Sequence, residues 1–404
     1  MEQIHDSPQI TKPMSPDSML EQKIWDKSFA WVCGTHLITL ILFSGIRVAF
    51  GLGWFDTMDR RWVEVGFSIV SQVLIMLTIP LVSIMIWKRR HTNPLVRQMQ
   101  PKSRLWLFRA FEFKKMSSKV LGFTIILGLM MFVFNIFVSS LFNGILALAG
   151  FRFPAGGSGG SFGGIGGFFV SMILIGVLPG LCEEVEHRGM LMQGFKARLG
   201  VKHAVLFTAI LFGLMHFNVM QVFFAAVLGY LMGLAGVATK NIWVPIIIHF
   251  MNNALATYLS YAGRYGWFGS GFYEWLFDIT FGVNAVLFVL GIAALILGIM
   301  AIIRMFARDT YRQNKVAHFT KLVQARPDLL VHPHGVYSLD QFIEMTEASF
   351  RTMTRSRVFD FHLDPMSLLP KKPLNFTRTE AMLFYGILFL GSIITVFTLI
   401  WGFL

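Results

Sequence analysis

Three clusters of ionisable residues interrupt otherwise apolar stretches of this 404-residue chain. The first is Cys182-Glu183-Glu184-Val185-Glu186-His187-Arg188, the second runs from Phe212 to His216, and the third is His249-Phe250-Met251-Asn252-Asn253. Ionisable groups in hydrocarbon are costly, so each is a functional-site candidate. Helical geometry sorts them. Adjacent residues point about 100° apart, so Glu183 and Glu184 cannot share a direction. Glu184 and Arg188 stand one turn apart with the acid N-terminal, the better orientation for an ion pair along one face. Glu183 and His187 share that spacing, as do His249 and Asn253. A glutamate beside a histidine can activate water as a general base. A histidine and an asparagine can donate hydrogen bonds to the oxyanion of a tetrahedral intermediate. A Ser or Cys nucleophile is not needed, and acidic neighbours disfavour a thiolate at Cys182, which reads as packing. Two alternatives stay open on residue types alone. Glu183, His187, His216 and His249 could together hold Zn²⁺, or the polar groups could simply join helices.

The elements that must carry these residues follow from composition. Hydrophobic residues make up 55% of the chain and charged residues 14%, with 41 Phe and 37 Gly and a mean hydropathy of +0.61. A soluble domain carries roughly 25% charged residues, so a soluble enzyme is excluded. Two cysteines, Cys33 and Cys182, exclude a disulfide scaffold. The expected fold is all-α, a polytopic membrane helical bundle of about nine transmembrane spans. Apolar runs fall at about 29–52, 63–87, 119–150, 168–195, 203–218, 220–238, 242–262, 278–303 and 381–403. The third and fourth runs exceed one bilayer thickness and should tilt or project into water.

Charge sets the orientation. Ten Lys and Arg but a single acid, Glu112, lie from Lys88 to Lys119, which places that segment in the cytoplasm. Alternation then puts the N-terminus, the 196–202 turn, Lys240 and 304–380 on the same side. Only Arg60, Arg61, Arg152 and Arg264 fall outside. The net charge of +13 is thereby explained by topology, with no need for nucleic acid. Outside the three clusters, Arg47 is the only charge well within a span. No cleavable signal peptide is visible. The organisation is a polar cytoplasmic tail over 1–28, three spans with a basic loop over 29–150, and a four-span core over 168–262. A further span at 278–303, a basic cytoplasmic insert at 304–380 and a last span at 381–404 complete it. Residues 151–167 are Gly/Ser-rich and read as a flexible connector, with a lid as the alternative. His332 and His334 in the insert read as loop residues rather than a metal site.

Taken in order, Glu183-Glu184-x-x-x-Arg188, Phe212-x-x-x-His216 and His249-x-x-x-Asn253 resemble the three-motif signature of the CPBP family, the intramembrane CAAX prenyl proteases and bacteriocin-processing (Abi) proteins. The resemblance covers about 168–260. It implies endoproteolysis at the membrane on a peptide or protein substrate, one that is prenylated for the eukaryotic members, without a covalent intermediate. It also implies that Glu183 with His216 activates the water, that His249 and Asn253 form the oxyanion hole, and that Glu184 and Arg188 support the site. A metal-free mechanism is implied, with no cofactor; the Zn²⁺ set named above is the alternative. Localisation is a cell membrane, or the endoplasmic reticulum membrane in a eukaryote. One departure stands out: Glu186 and His187 replace the apolar residues usual before the motif Arg. Glu186 is expected to face an aqueous vestibule and His187 to pack or hydrogen-bond. A His187 that perturbs the base, and a non-catalytic immunity or scaffold protein, are the alternatives. A proton-coupled transporter is disfavoured, because no second copy of the Glu-Glu segment is present. By alternation His216 falls near the outer end of its span, whereas Glu183 and His249 fall nearer the inner side, a mismatch in depth.

Overall fold

The computed structural model describes residues 25, 27–55, 57–91, 106–152, 162–276, 285–325, 330–332, 335–336, 338–344 and 376–403. Helices dominate them, because in lipid each backbone N–H and C=O must be satisfied within its own segment. Helix α1 is Phe29–Gly51. Helix α2 joins Arg60–Ser68, a wider π-type stretch Ile69–Thr78, and Ile79–His91. Helix α3 is Ser118–Leu148. Helix α4 is continuous through Gly164–Ser171, π-type Met172–Val177, Leu178–Glu184, π-type Val185–Leu191 and Met192–Leu199. Then follow α5, Val201–Leu214, α6, Val219–Thr239, and α7, Trp243–Tyr265. Helices α8, Ala285–Ala325, and α9, Arg378–Phe403, complete the bundle.

The chain is a polytopic helical membrane bundle. Among the described residues seven helices, α1–α4, α6, α8 and α9, are long and apolar enough to cross a bilayer. The other two expected spans are helical but fall short of that standard for different reasons. Helix α5 has only 14 residues, about 21 Å of rise. Helix α7 is long enough at 23 residues, but His249, Asn252 and Asn253 dilute its apolar run. Helix α8 continues to Ala325, well past the expected boundary at 303, so the polar insert begins as helix. Within that insert Val331–His332 pairs antiparallel with Gly335–Val336. His334, the tail through residue 24, most of the Gly/Ser-rich stretch and 345–375 lie outside the described residues.

Local chemistry places the ends. Ser117 caps α3 by accepting from the Val120 amide, and Asn218 caps α6 by accepting from the Met220 amide at 3.0 Å. Between α4 and α5 stands Gly200 at φ 77°, a backbone angle that a residue with a Cβ adopts only at a cost. That single turn makes α4 and α5 an antiparallel hairpin. Glu183 lies 17 residues before Gly200 and His216 lies 16 residues after it. The two arms therefore bring these residues to one level, and the expected mismatch in depth disappears. The error came from treating the fifth span as a full crossing; α5 has only 14 residues.

Helix α4 is the centre of the bundle. It packs against α7 along much of its length, against α5 beyond Gly200, and against α1 and α2 on another side. A Cβ at Gly180 would lie 3.1 Å from the Phe250 amide nitrogen, so the α4 and α7 backbones touch one turn before Glu183. Small residues permit this approach where membrane helices lack a hydrophobic drive to associate.

A buried glutamate and histidine centre as the candidate active site

Glu183 sits between two π-type stretches of α4, 6% exposed. Such wide turns leave backbone carbonyls available to side chains and recur at functional sites. Its Oε1 accepts a hydrogen bond from Gln72 Nε2 at 2.8 Å, donated from the π-type stretch of α2. Its Oε2 is buried and has no hydrogen-bond partner, with His249 Nε2 at 3.9 Å. One carboxylate oxygen is thus anchored and the other is not, as is also true of Glu184 and Glu186, whose Oε2 atoms are buried without a partner.

Glu184 is fully buried and faces a different direction, as the helical rotation requires. Its Oε1 accepts from Arg188 Nη1 at 2.8 Å and from His249 Nδ1 at 3.0 Å. Arg188, 2% exposed, donates a second bond from Nη2 to the Gly229 carbonyl of α6 at 2.8 Å. Gly229 makes this reach possible: a Cβ there would lie 3.3 Å from Arg188 Nη2 and 3.0 Å from Phe212. The expected Glu184–Arg188 pair is present, and it extends to a third helix and to His249.

Phe212 organises the histidines. The rings of His187, His216 and His249 stand edge-on to it, with centroids at 5.2, 5.3 and 5.5 Å. The Arg188 guanidinium lies over its face at 4.7 Å. One aromatic ring thereby gathers cationic and imidazole groups from α4, α7 and the end of α5. The Nδ1–H of His216 donates to the Phe212 carbonyl at 2.8 Å. That bond fixes the tautomer and leaves Nε2 as an acceptor. His216 is only half-buried.

His187 hydrogen-bonds to the backbone and not to the Glu183 carboxylate: its Nδ1–H donates to the Glu183 carbonyl at 2.9 Å, and Nε2 is buried without a partner. Asn253 is half-buried and donates to the Ile175 carbonyl at 3.0 Å, in the first π-type stretch of α4, while its Oδ1 accepts from Asn252. Glu186 does not face a vestibule. It is fully buried and accepts on Oε1 from His36 Nδ1 at 2.8 Å and Thr39 Oγ1 at 2.6 Å, both on α1. A buried acid must find donors, and α1 supplies them. Among the described residues no group of three or more His, Cys, Asp or Glu side chains is arranged to hold a metal ion.

Sequence spacing gave no sign of Gln72, His36 and Thr39. They are scattered polar residues on apolar helices of no recognisable pattern, and only the fold brings them to α4. Arg47, the only charge that the sequence places well within a span outside the three clusters, donates from Nη1 to the His216 carbonyl at 2.8 Å.

Fold and site together define a polytopic helical membrane protein with a glutamate–histidine centre buried among its helices. Residues 165–255 match the family described as type II CAAX prenyl endopeptidase Rce1-like, in agreement with the CPBP resemblance of the three motifs. The match covers α4 to α7 and less than a quarter of the chain, and it points to a membrane protease. No curated protein and no solved structure matches the chain.

Proposed function

We propose that this protein is an intramembrane endopeptidase that hydrolyses a peptide bond of a membrane-associated protein or peptide by glutamate-activated water, without a metal. The observation that carries the reading is the state of Glu183: buried, anchored through one oxygen by Gln72, with the other oxygen unbonded and facing His249. A water on Oε2 loses its proton to the carboxylate as it attacks the scissile carbonyl. His216 Nε2, an acceptor in the tautomer fixed by the Phe212 carbonyl, aligns the same water or takes its proton onward.

His249 has the geometry of an electrophile. Glu184 accepts its Nδ1–H, and its Nε2 stands 3.9 Å from Glu183 Oε2, where an Nε2–H would meet the oxyanion that develops as the water on Oε2 attacks. Arg188 holds Glu184 and leaves Glu183 for the water. Asn253, one turn beyond His249, has a second amide hydrogen available besides the one on Ile175 and completes the oxyanion site. The name of the matched family adds a prenylated C-terminal segment as the first substrate class to try.

The test is peptide cleavage by purified protein in detergent. Glu183→Gln and His216→Ala should each abolish turnover while the protein still accumulates in the membrane. Lys119→Gln, at an exposed ion pair with Asp309, should not, and a strong chelator should leave the wild type active. Retained cleavage in Glu183→Gln would overturn the mechanism.

A further inference from the structure

Three side-chain amides join end to end across the bundle. Asn135 of α3 donates from Nδ2 to Asn252 Oδ1 at 3.1 Å, and Asn252 donates from Nδ2 to Asn253 Oδ1 at 3.2 Å. Asn253 in turn donates to the Ile175 carbonyl of α4 at 3.0 Å. Neighbours on a helix point about 100° apart, so Asn252 meets α3 while Asn253 meets α4. The polarity of the row is fixed from its α4 end. A backbone carbonyl only accepts, whereas a carboxamide donates through nitrogen and accepts through oxygen. Asn253 must therefore turn its nitrogen to Ile175 and its oxygen to Asn252, which leaves the Asn252 oxygen for a donor on α3.

Joining helices does not explain Asn135. Helices α3 and α7 already meet closely at Gly128, where a Cβ would lie 2.7 Å from Met251 Sδ. Gly128 stands about two turns before Asn135 on the same face of α3. Packing of that kind holds membrane helices together without a polar group. Asn135 also leaves its own Oδ1 buried without a partner, a cost that an apolar side chain would avoid. What it gains is the bond to Asn252. It does so from outside the matched segment 165–255.

What the row achieves is orientation. With its oxygen and one N–H both engaged, the Asn253 carboxamide is held in one plane and its second N–H points one way. An untethered asparagine turns about its broad last torsion and presents oxygen as readily as nitrogen, and oxygen repels a developing oxyanion. A donor fixed in advance needs no reorganisation as that charge develops. We propose that Asn135 and Asn252 are positioning residues that act through Asn253, keeping its spare N–H, and not its oxygen, available to the reacting carbonyl. This rests on the protease reading of the same centre and extends its machinery to α3.

The test is a double-mutant cycle on kcat, with the whole chain in detergent and a fluorescent S-farnesyl peptide as substrate. Asn135→Leu should lower kcat about tenfold with KM unchanged, whereas a loss of uniform binding would raise KM. Asn253→Ala should lower kcat about 10²-fold, and adding Asn135→Leu to it should cost less than about twofold more. Asn252→Leu breaks the next link and should behave as Asn135→Leu does, which covers the case of one variant failing to fold. An unchanged kcat in Asn135→Leu or in Asn253→Ala overturns the proposal. So does an equal fall from Asn135→Leu in both backgrounds, which marks a general loosening of the bundle; all these outcomes leave the protease standing. Side-chain amide NMR of protein carrying isotope-labelled asparagine needs no turnover. The Asn253 signals, assigned by their loss in Asn253→Ala, should shift or broaden in Asn135→Leu while those of Asn241, remote from the row, stay in place. Should wild type or Asn253→Ala show no measurable cleavage, these signals decide. Their movement supports the row's hold on Asn253 even where wild-type inactivity sinks the protease reading, and unmoved Asn253 signals overturn it.

Discussion

Replacing Arg188 by Met removes a long side chain of similar bulk and leaves three groups in difficulty. Glu184, fully buried, keeps only His249 as a donor. The Gly229 carbonyl loses its side-chain donor, and Phe212 loses the cation over its face. Breaking one side of a buried ion pair costs about 3–5 kcal/mol, chiefly because the remaining charge is stranded, or about 10²- to 10⁴-fold in the folding equilibrium. Helix–helix hydrogen bonds in bilayers average only about 0.6 kcal/mol, so a cost of that size would identify the stranded charge as its source. The second arm isolates it. Glu184→Gln removes the charge but keeps the shape and an acceptor for His249. If the stranded charge dominates, Arg188→Met/Glu184→Gln is more stable than Arg188→Met alone, and the double-mutant coupling is about 2 kcal/mol or more. Reversible unfolding in mixed dodecyl maltoside and SDS micelles, followed by tryptophan fluorescence, gives all four free energies. Additive single effects would refute the argument, because they would mean that Arg188 and Glu184 act independently although their atoms are 2.8 Å apart.

Three further outcomes follow from particular contacts. Gln72→Leu removes the donor to Glu183 Oε1 and should lower kcat about 10- to 100-fold, as expected for a bond to a charged group, with KM little changed; steady-state kinetics checks it. Gly229→Ala pushes a methyl against Phe212 and Arg188 and should destabilise by about 1–3 kcal/mol, read in the same micelle unfolding, whereas Gly66→Ala, where a Cβ meets nothing within 4 Å, should not. In the loop before α3 burial pushes the Glu112 carboxyl up, but the ammonium groups of Lys196, Lys114 and Lys240 and a bond from Gln193 outweigh it and hold the group below its ordinary value of 4.5. With the folded value depressed, the stabilisation is complete above 4.5 and is lost as pH falls through the lowered value. The gap in thermal midpoint between wild type and Glu112→Gln should close on acidification; a gap that widens there would have the sign wrong.

What the sequence made legible was what short-range geometry controls. The i, i+4 rule found Glu184 with Arg188, and the same rotation correctly set Glu183 apart from Glu184. His187, expected to pack or hydrogen-bond, bonds the Glu183 carbonyl one turn back, while spacing gave no sign of the bond from Asn253 to the Ile175 carbonyl in the first π-type stretch. Hydropathy located the helices but mislaid depth, because a run of apolar residues does not reveal that α5 is a short arm hinged at Gly200. Glu186 was misplaced for a different reason. Its partners His36 and Thr39 lie 150 and 147 residues away, and no local pattern signals a contact across that separation.

The contacts that cross from α1 and α2 into the matched segment have a consequence for inheritance. Gln72 on Glu183, His36 and Thr39 on Glu186, and Arg47 on the His216 carbonyl all come from outside 165–255. The motif-bearing quarter is therefore not a cassette. Transplanted beneath two helices of another membrane protein, it would carry its acids and histidines intact but arrive with Glu186 bereft of donors. Changes at Glu186 and at His36 should for that reason travel together wherever this variant of the scaffold has been passed on.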